Sequence, residues 1–317
     1  MLGRETRWAL LGTAFLTVGI TALVWLGLRT EHLAMGVITA TAEPVVEPTA
    51  SPSDPSTSPP ASPTTPAAEP TRSVVPPEPA LAAAFAAQSA TLGGQYALAW
   101  VDAEGIHVLG TAADDLAWST IKVPLSVAAI EDGEGNELLR QIRAALTVSD
   151  NEAAMALWNR LGPPEAAAAA VDEVLHTYDS ALTRTESDQV RPPFSPFGQT
   201  VWSVTDQARF AAAFSCAPAR SRAAEVRDIM AEVVPDQRWG IGRLEAAHFK
   251  GGWGPQPDGG YVARQLGDVE IDGERYALAA SARAPDGSFE RATAGLDHLV
   301  QWWADTVAPE AAGMTCP

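Results

Sequence analysis

From Glu43 to Pro79 the chain is built almost entirely of Pro, Ser, Thr, Ala and Glu, and it holds 12 of the 25 prolines there. Such a segment cannot bury enough apolar surface to offset the entropy of ordering it, so it reads as an extended, partly polyproline spacer. That spacer, taken with the residues before it as 31–79, divides the chain. Upstream, residues 8–28 form an uncharged run of 21 residues, which as a helix would be roughly 31 Å long, enough to span a bilayer. Arg4 and Arg7 precede the run and only Arg29 closely follows it. The positive-inside rule then puts residues 1–30, start and anchor, with the N-terminus in the cytoplasm and the rest outside. The alternative is a secreted protein cleaved at the small-residue pattern Ala40-Thr41-Ala42. Downstream, residues 80–317 are long enough for one domain with a substantial core.

That domain carries 32 Asp and Glu against 17 Lys and Arg, a formal charge of −15, with no basic cluster. Nucleic acid and anionic headgroups are therefore poor partners for it. Its two cysteines, Cys216 and Cys316, would lie in an oxidising compartment, where either a bridge or two separate thiols is open. The five histidines show no metal-ligand spacing, and nothing signals a cofactor.

The pattern of elements predicts a helix over 80–90 and a hairpin of Tyr96–Val101 and Ile106–Leu109 around Asp102–Gly105. An alanine-rich helical stretch follows from Ser119 to about Val234. Strands at Ala246–Gly251, Tyr261–Gly267 and Tyr276–Arg283 come next, and an amphipathic helix over 289–307 closes the domain. This order describes an α/β (α+β) fold, an antiparallel sheet flanked by terminal helices, with a separate helical lobe.

The chain contains 21 Lys and Arg, of which only Lys122 and Lys250 are lysines. Where a positive charge merely faces water, this sequence uses Arg. The two lysines should therefore mark places that need a compact amine able to give up a proton. Lys122 follows Ser119 by three residues in Trp118-Ser119-Thr120-Ile121-Lys122, a spacing that sets amine and hydroxyl on one helical face. A serine hydroxyl becomes a useful nucleophile when a base takes its proton. Ser149-Asp150-Asn151 precedes a predicted helix over 152–161 and reads equally well as an N-cap. Lys250-Gly251-Gly252 ends a predicted strand, where a plain glycine turn is the simpler reading. Ser203-Val204-Thr205-Asp206 is read as a structural capping box.

Taken together and in this order, SxxK, SDN and K-x-G resemble the signature motifs of the class A β-lactamase and penicillin-binding-protein superfamily of serine hydrolases. The resemblance implies a cleft between sheet and helical lobe in which Ser119 is acylated by a lactam, a cell-wall peptide or an ester. It implies Lys122 as base, Ser149 as the relay of the leaving-group proton, Asn151 as holder of the substrate amide and Lys250 as a source of positive potential. The backbone N–H groups of Ser119 and Trp253, beside Gly252, would form the oxyanion hole. This sequence also departs from the family. Gly251 stands where Thr or Ser is usual, and only 30 residues separate Ser119 from Ser149. No glutamate has the usual deacylating context, Glu186 being the candidate by distance. Arg264 is either a surface strand arginine or a replacement anchor for a substrate carboxylate, and Trp118, Trp202 and Trp253 are either packed tryptophans or cleft residues. These departures argue against efficient β-lactam turnover. They leave open a second function, a weakly active or inactive ligand-binding or sensing module on a membrane stalk.

Overall fold

The computed structural model describes residues 72–110 and 114–316. The expected membrane anchor and most of the expected spacer lie outside the described residues, among which no helix is long and apolar enough to cross a membrane. The last part of the expected spacer does not behave as one. Val74–Val75 form a short strand, β1, and Glu78 caps helix α1 (Pro79–Leu92), its carboxylate accepting from Leu81 N with Pro79 in the first turn. Sequence composition missed β1 because a two-residue strand carries no periodicity of its own. It exists because Ile106–His107 offers a parallel partner.

The hairpin follows as β2 (Gln95–Val101) and β3 (Ile106–Gly110). Its turn is tied by the Asp102 carboxylate, which accepts from Glu104 N and Gly105 N. The C-terminal strands are β4 (His248–Pro255), β5 (Tyr261–Ile271) and β6 (Glu274–Arg283). They complete a six-stranded sheet in the order β1-β3-β2-β6-β5-β4, antiparallel except at β1. β4 runs past its expected end at Gly251 because β5 pairs with it through Pro255–Tyr261.

Alternation sorts the strand side chains onto two buried faces. On one face Tyr96, Leu98, Trp100, Phe249 and Leu278 meet α1 and the last helix, α8 (Phe289–Thr306). α8 contributes Ala292, Leu296, Leu299, Val300 and Trp303, the i, i+4, i+7 stripe of a helix buried along one side. On the other face Ala97, Ala99, Ala277 and Ala279 lie beneath the helical lobe. The lobe comprises α2 (Lys122–Asp132), α3 (Asn136–Thr147), α4 (Asn151–Arg160), α5 (Pro164–Thr177), α6 (Val204–Ser215) and α7 (Arg222–Met230). α6 packs directly on β6, and short alanine side chains on both elements allow that approach. Cys216, just after α6, is bridged to Cys316 with Cα atoms 5.3 Å apart, which fastens the C-terminal tail to the lobe.

Candidate active site

The segment that carries Ser119 is held by a polar scaffold under it. Ala117 N donates to Thr200 O and Trp202 N to Asp115 O. The Asp115 carboxylate accepts from Ser281 Oγ at 2.7 Å and from the Arg283 guanidinium. Arg264, on β5 opposite Gly252, is completely buried; it donates to Asp115 O, Leu116 O, Trp202 O and Gln207 Oε1 at 2.7–3.1 Å. Gln207 in turn donates to Thr120 Oγ1 at 2.8 Å, one residue beyond the candidate nucleophile. Arg264 therefore corrects its expected role. Both of its Nη atoms donate to main-chain and amide oxygens beneath Ser119 while its Nε is buried without a partner, and it supports the segment without lining the cleft. Burial pushes its guanidinium down to about 10, so it remains a cation at neutral pH.

Ser119 does not open an α-helix directly. It sits in a single 3₁₀ turn, Trp118–Ile121, that runs into α2 at Lys122. Trp118 enters the turn at φ 50°, a conformation that costs on the order of 1–3 kcal/mol outside glycine and that over-determined sites retain. The glycine of K-x-G has a steric reason. A Cβ at Gly252 would fall 2.8 Å from Ser119 N and 2.9 Å from Ala117 O, so only glycine lets β4 come this close to the turn. Gly251 faces the opposite side, where a Cβ would meet the Trp239 indole at 3.0 Å. A Thr or Ser side chain would crowd the ring there.

The SDN segment divides its labour. Asp150 is the N-cap of α4, accepting from Ala153 N at 2.9 Å, while its neighbours on either side turn to the lysines. Ser149 adopts φ 60°. Lys122 Nζ donates to Ser149 O at 2.7 Å, Asn151 Oδ1 at 2.8 Å and Asp150 O at 3.2 Å, and it lies 3.4 Å from Ser149 Oγ. Lys250 Nζ donates to the same Ser149 Oγ at 3.0 Å and to Gly251 O at 2.8 Å. One hydroxyl thus stands between two buried amines. Burial pushes the Lys122 amine down to about 7, partly offset by the Asp150 carboxylate. Burial, and after it the Lys122 amine, push Lys250 well below its ordinary value. Two amines this close in a dry site compete for protons, which bears on the positive potential expected of Lys250.

These groups meet at a cleft of about 480 Å³ lined by Ser119, Lys122, Ser149 and Asn151 from the motifs, together with Trp118 and Trp253. Of the other candidates, Trp202 is fully buried with its indole N–H donated to Ser180 Oγ, away from the cleft. Glu186 does not line the cleft either; its carboxylate accepts from Asp188 N within its own loop. Sequence reasoning missed Asp115, Gln207 and Trp239, whose parts depend on partners far along the chain. The one available signal was the register that sets Arg264 opposite Gly252.

No family model matches this sequence, and no curated protein matches it. Solved structures do. A class A β-lactamase from Bacteroides cellulosilyticus aligns with a TM-score of 0.57 at 12% identity, over 71% of this chain and 96% of that one. An ancestral class A β-lactamase aligns at 0.53 and 18% over 71% and 98%, and a β-lactamase from Desulfarculus baarsii at 0.52 and 19% over 72% and 98%. The identities are low and the coverage of those chains is nearly complete. What is shared is the whole fold, sheet and lobe alike.

Proposed function

From a class A β-lactamase fold with two buried amines converging on one hydroxyl, we propose that this chain is a serine acyl hydrolase or transferase, with Ser119 as its nucleophile. The convergence of Lys122 and Lys250 on Ser149 Oγ, at the cleft that also holds Ser119, is the observation that carries the reading. Lys122, at about 7, is poised to accept the Ser119 proton near neutral pH. The developing oxyanion would be met by the N–H groups of Ser119 and Trp253, which the glycine at 252 lets approach one another. Ser149 would pass a proton to the leaving group, drawing it back through either amine, while Asn151 holds the substrate amide. Water would then release the acyl group, or a second nucleophile would accept it.

A second reading is a binding module of low turnover. It is favoured by the Lys122 hydrogen bonds, which all go to residues 149–151, and by the withdrawal of Glu186 into its loop. Incubating detergent-solubilised full-length protein with a fluorophosphonate and a fluorescent penicillin, and mapping any adduct by mass spectrometry, separates the two. An adduct on Ser119 supports the acyl enzyme, and saturable, reversible penicillin binding without an adduct supports the module. We further propose that residues 8–28 keep the chain in the cell membrane with its domain outside. Retention in membranes after carbonate extraction is expected, and a mature N-terminus near Glu43 would instead indicate secretion.

A further inference from the structure

The walls of the cleft bear on what it acylates. Trp118, Met155, Phe194, Phe197, Trp253 and Tyr261 form much of the lining, and Trp118 meets Phe194 edge-on with centroids 5.0 Å apart. Among the described lining residues Lys122 is the single cation, and three acceptors within 3.2 Å already hold its amine. Lys250 reaches Ser149 Oγ from behind the lining, and two nearby arginines also stand outside it. Arg264 supports the Ser119 segment from below. Arg191 lies 5.3 Å from the centroid of the Phe194 ring and donates to Pro255 O at 2.9 Å, closing the wall without lining it.

The hydroxyl usual in the family at position 251 is absent, and a Cβ there would crowd the Trp239 ring at 3.0 Å. Tyr261 in the lining has its hydroxyl pushed up by burial and then by the Glu290 carboxylate. The domain as a whole carries −15. A carboxylate entering this cleft would lose water, find Lys122 as the single cation among the described lining residues and meet the net negative charge of the domain on the way in.

Building on the serine acyl-enzyme reading, we infer that the substrates of this site are uncharged acyl donors with an apolar alkyl or aryl acyl group, and not acyl donors that bring a carboxylate into the cleft. In the reaction with an ester, the Ser119 Oγ–C bond forms and the C–O bond to the alcohol breaks. The Ser119 proton goes to Lys122, and a proton reaches the departing oxygen through Ser149. Water subsequently cleaves the acyl-serine, restoring the hydroxyl and releasing the acid.

A matched pair of probes tests this with full-length protein in detergent: the p-nitrophenyl monoester of trans-cyclohexane-1,4-dicarboxylic acid, whose carboxylate cannot reach its own ester carbonyl, and the same compound capped as its methyl ester. The capped ester should acylate Ser119 at least about tenfold faster, read as p-nitrophenolate burst and as adduct mass. Tyr261→Lys, which brings an amine to the lining, should narrow that ratio. A fluorophosphonate run alongside reports on the nucleophile by itself. Equal rates, or a faster monoester, with Ser119 labelled by the fluorophosphonate would overturn the inference and leave the serine enzyme standing. No labelling of Ser119 by any of the three probes would remove both.

Discussion

The two amines around Ser149 Oγ give a quantitative handle on the candidate site. At 3.4 and 3.0 Å from one oxygen, they are no more than 6.4 Å apart. Burial pushes both amines down, Lys122 to about 7, and the Lys122 charge lowers Lys250 further, so Lys250 is taken as the one of the pair that is neutral near pH 7. In the native protein Lys122 therefore titrates beside a neutral neighbour. Lys250→Arg changes that, since a guanidinium stays charged throughout this range. Two unit charges about 6 Å apart at an effective dielectric constant of about 20 repel by about 3 kcal/mol. At 1.36 kcal/mol per pH unit, this is about two units. A fixed positive charge disfavours the protonated amine, so the shift is downward, from about 7 to about 5. Lys250→Met adds no charge and should leave the titration near 7. The assay is the pH dependence of fluorophosphonate labelling of Ser119 in full-length protein, with circular dichroism to verify folding. For the native protein the rate should rise with pH through about 7 as the base loses its proton. A folded Lys250→Arg variant whose rising limb stays near 7 would refute the assignment of Lys122 as the titrating base, or the protonation order assumed for the pair.

Other expectations follow from the same geometry. Lys122→Arg preserves charge but removes a group that can be neutral, so labelling of Ser119 should fall by about 10²–10⁴ with the fold intact. Near-normal labelling would deny Lys122 a proton-transfer role. Arg264→Met should cost about 3 kcal/mol or more in denaturant melts, because it strands four buried acceptors and leaves the Asp115 cluster short of a cation. Reducing the Cys216–Cys316 bridge, which closes a separation of 100 residues, should lower stability by up to about 4.7 kcal/mol in the chain-entropy treatment, read as a fall in Tm on adding a thiol reductant.

Much of this was legible in the sequence because local periodicity and composition carried it. β2, β5, β6 and α8 lie within a few residues of where their patterns put them, since each has a face that must be buried. The two lysines stood out against a background of Arg for a physical reason, the need for an amine that burial can neutralise, and both are buried beside the same serine. What was not legible depended on distant partners. A strand arginine gives no sign that it will be wholly buried under another segment, so Arg264 was read as a surface or ligand-facing group. Gly251 looked like a missing hydroxyl until Trp239, twelve residues earlier, proved to crowd the position. The 3₁₀ turn at Ser119 differs from the helical reading, because Trp118 enters it at a positive φ and Gly252, far along the chain, packs against its backbone.

The sheet order also determines where attachments are tolerated. The described chain enters at β1, one edge, and the tail returns there, with Arg72 Nη2 donating to Thr315 O at 3.1 Å. β4, which carries Lys250 and Gly252, is the other edge. Five strand spacings of about 4.8 Å separate the two edges by roughly 24 Å. A fusion partner, an affinity tag or an immobilising surface joined after the C-terminal tail, or directly before Arg72, therefore loads the edge remote from the cleft. The mouth should stay unobstructed, and a domain tethered there should keep the labelling behaviour it has in free solution.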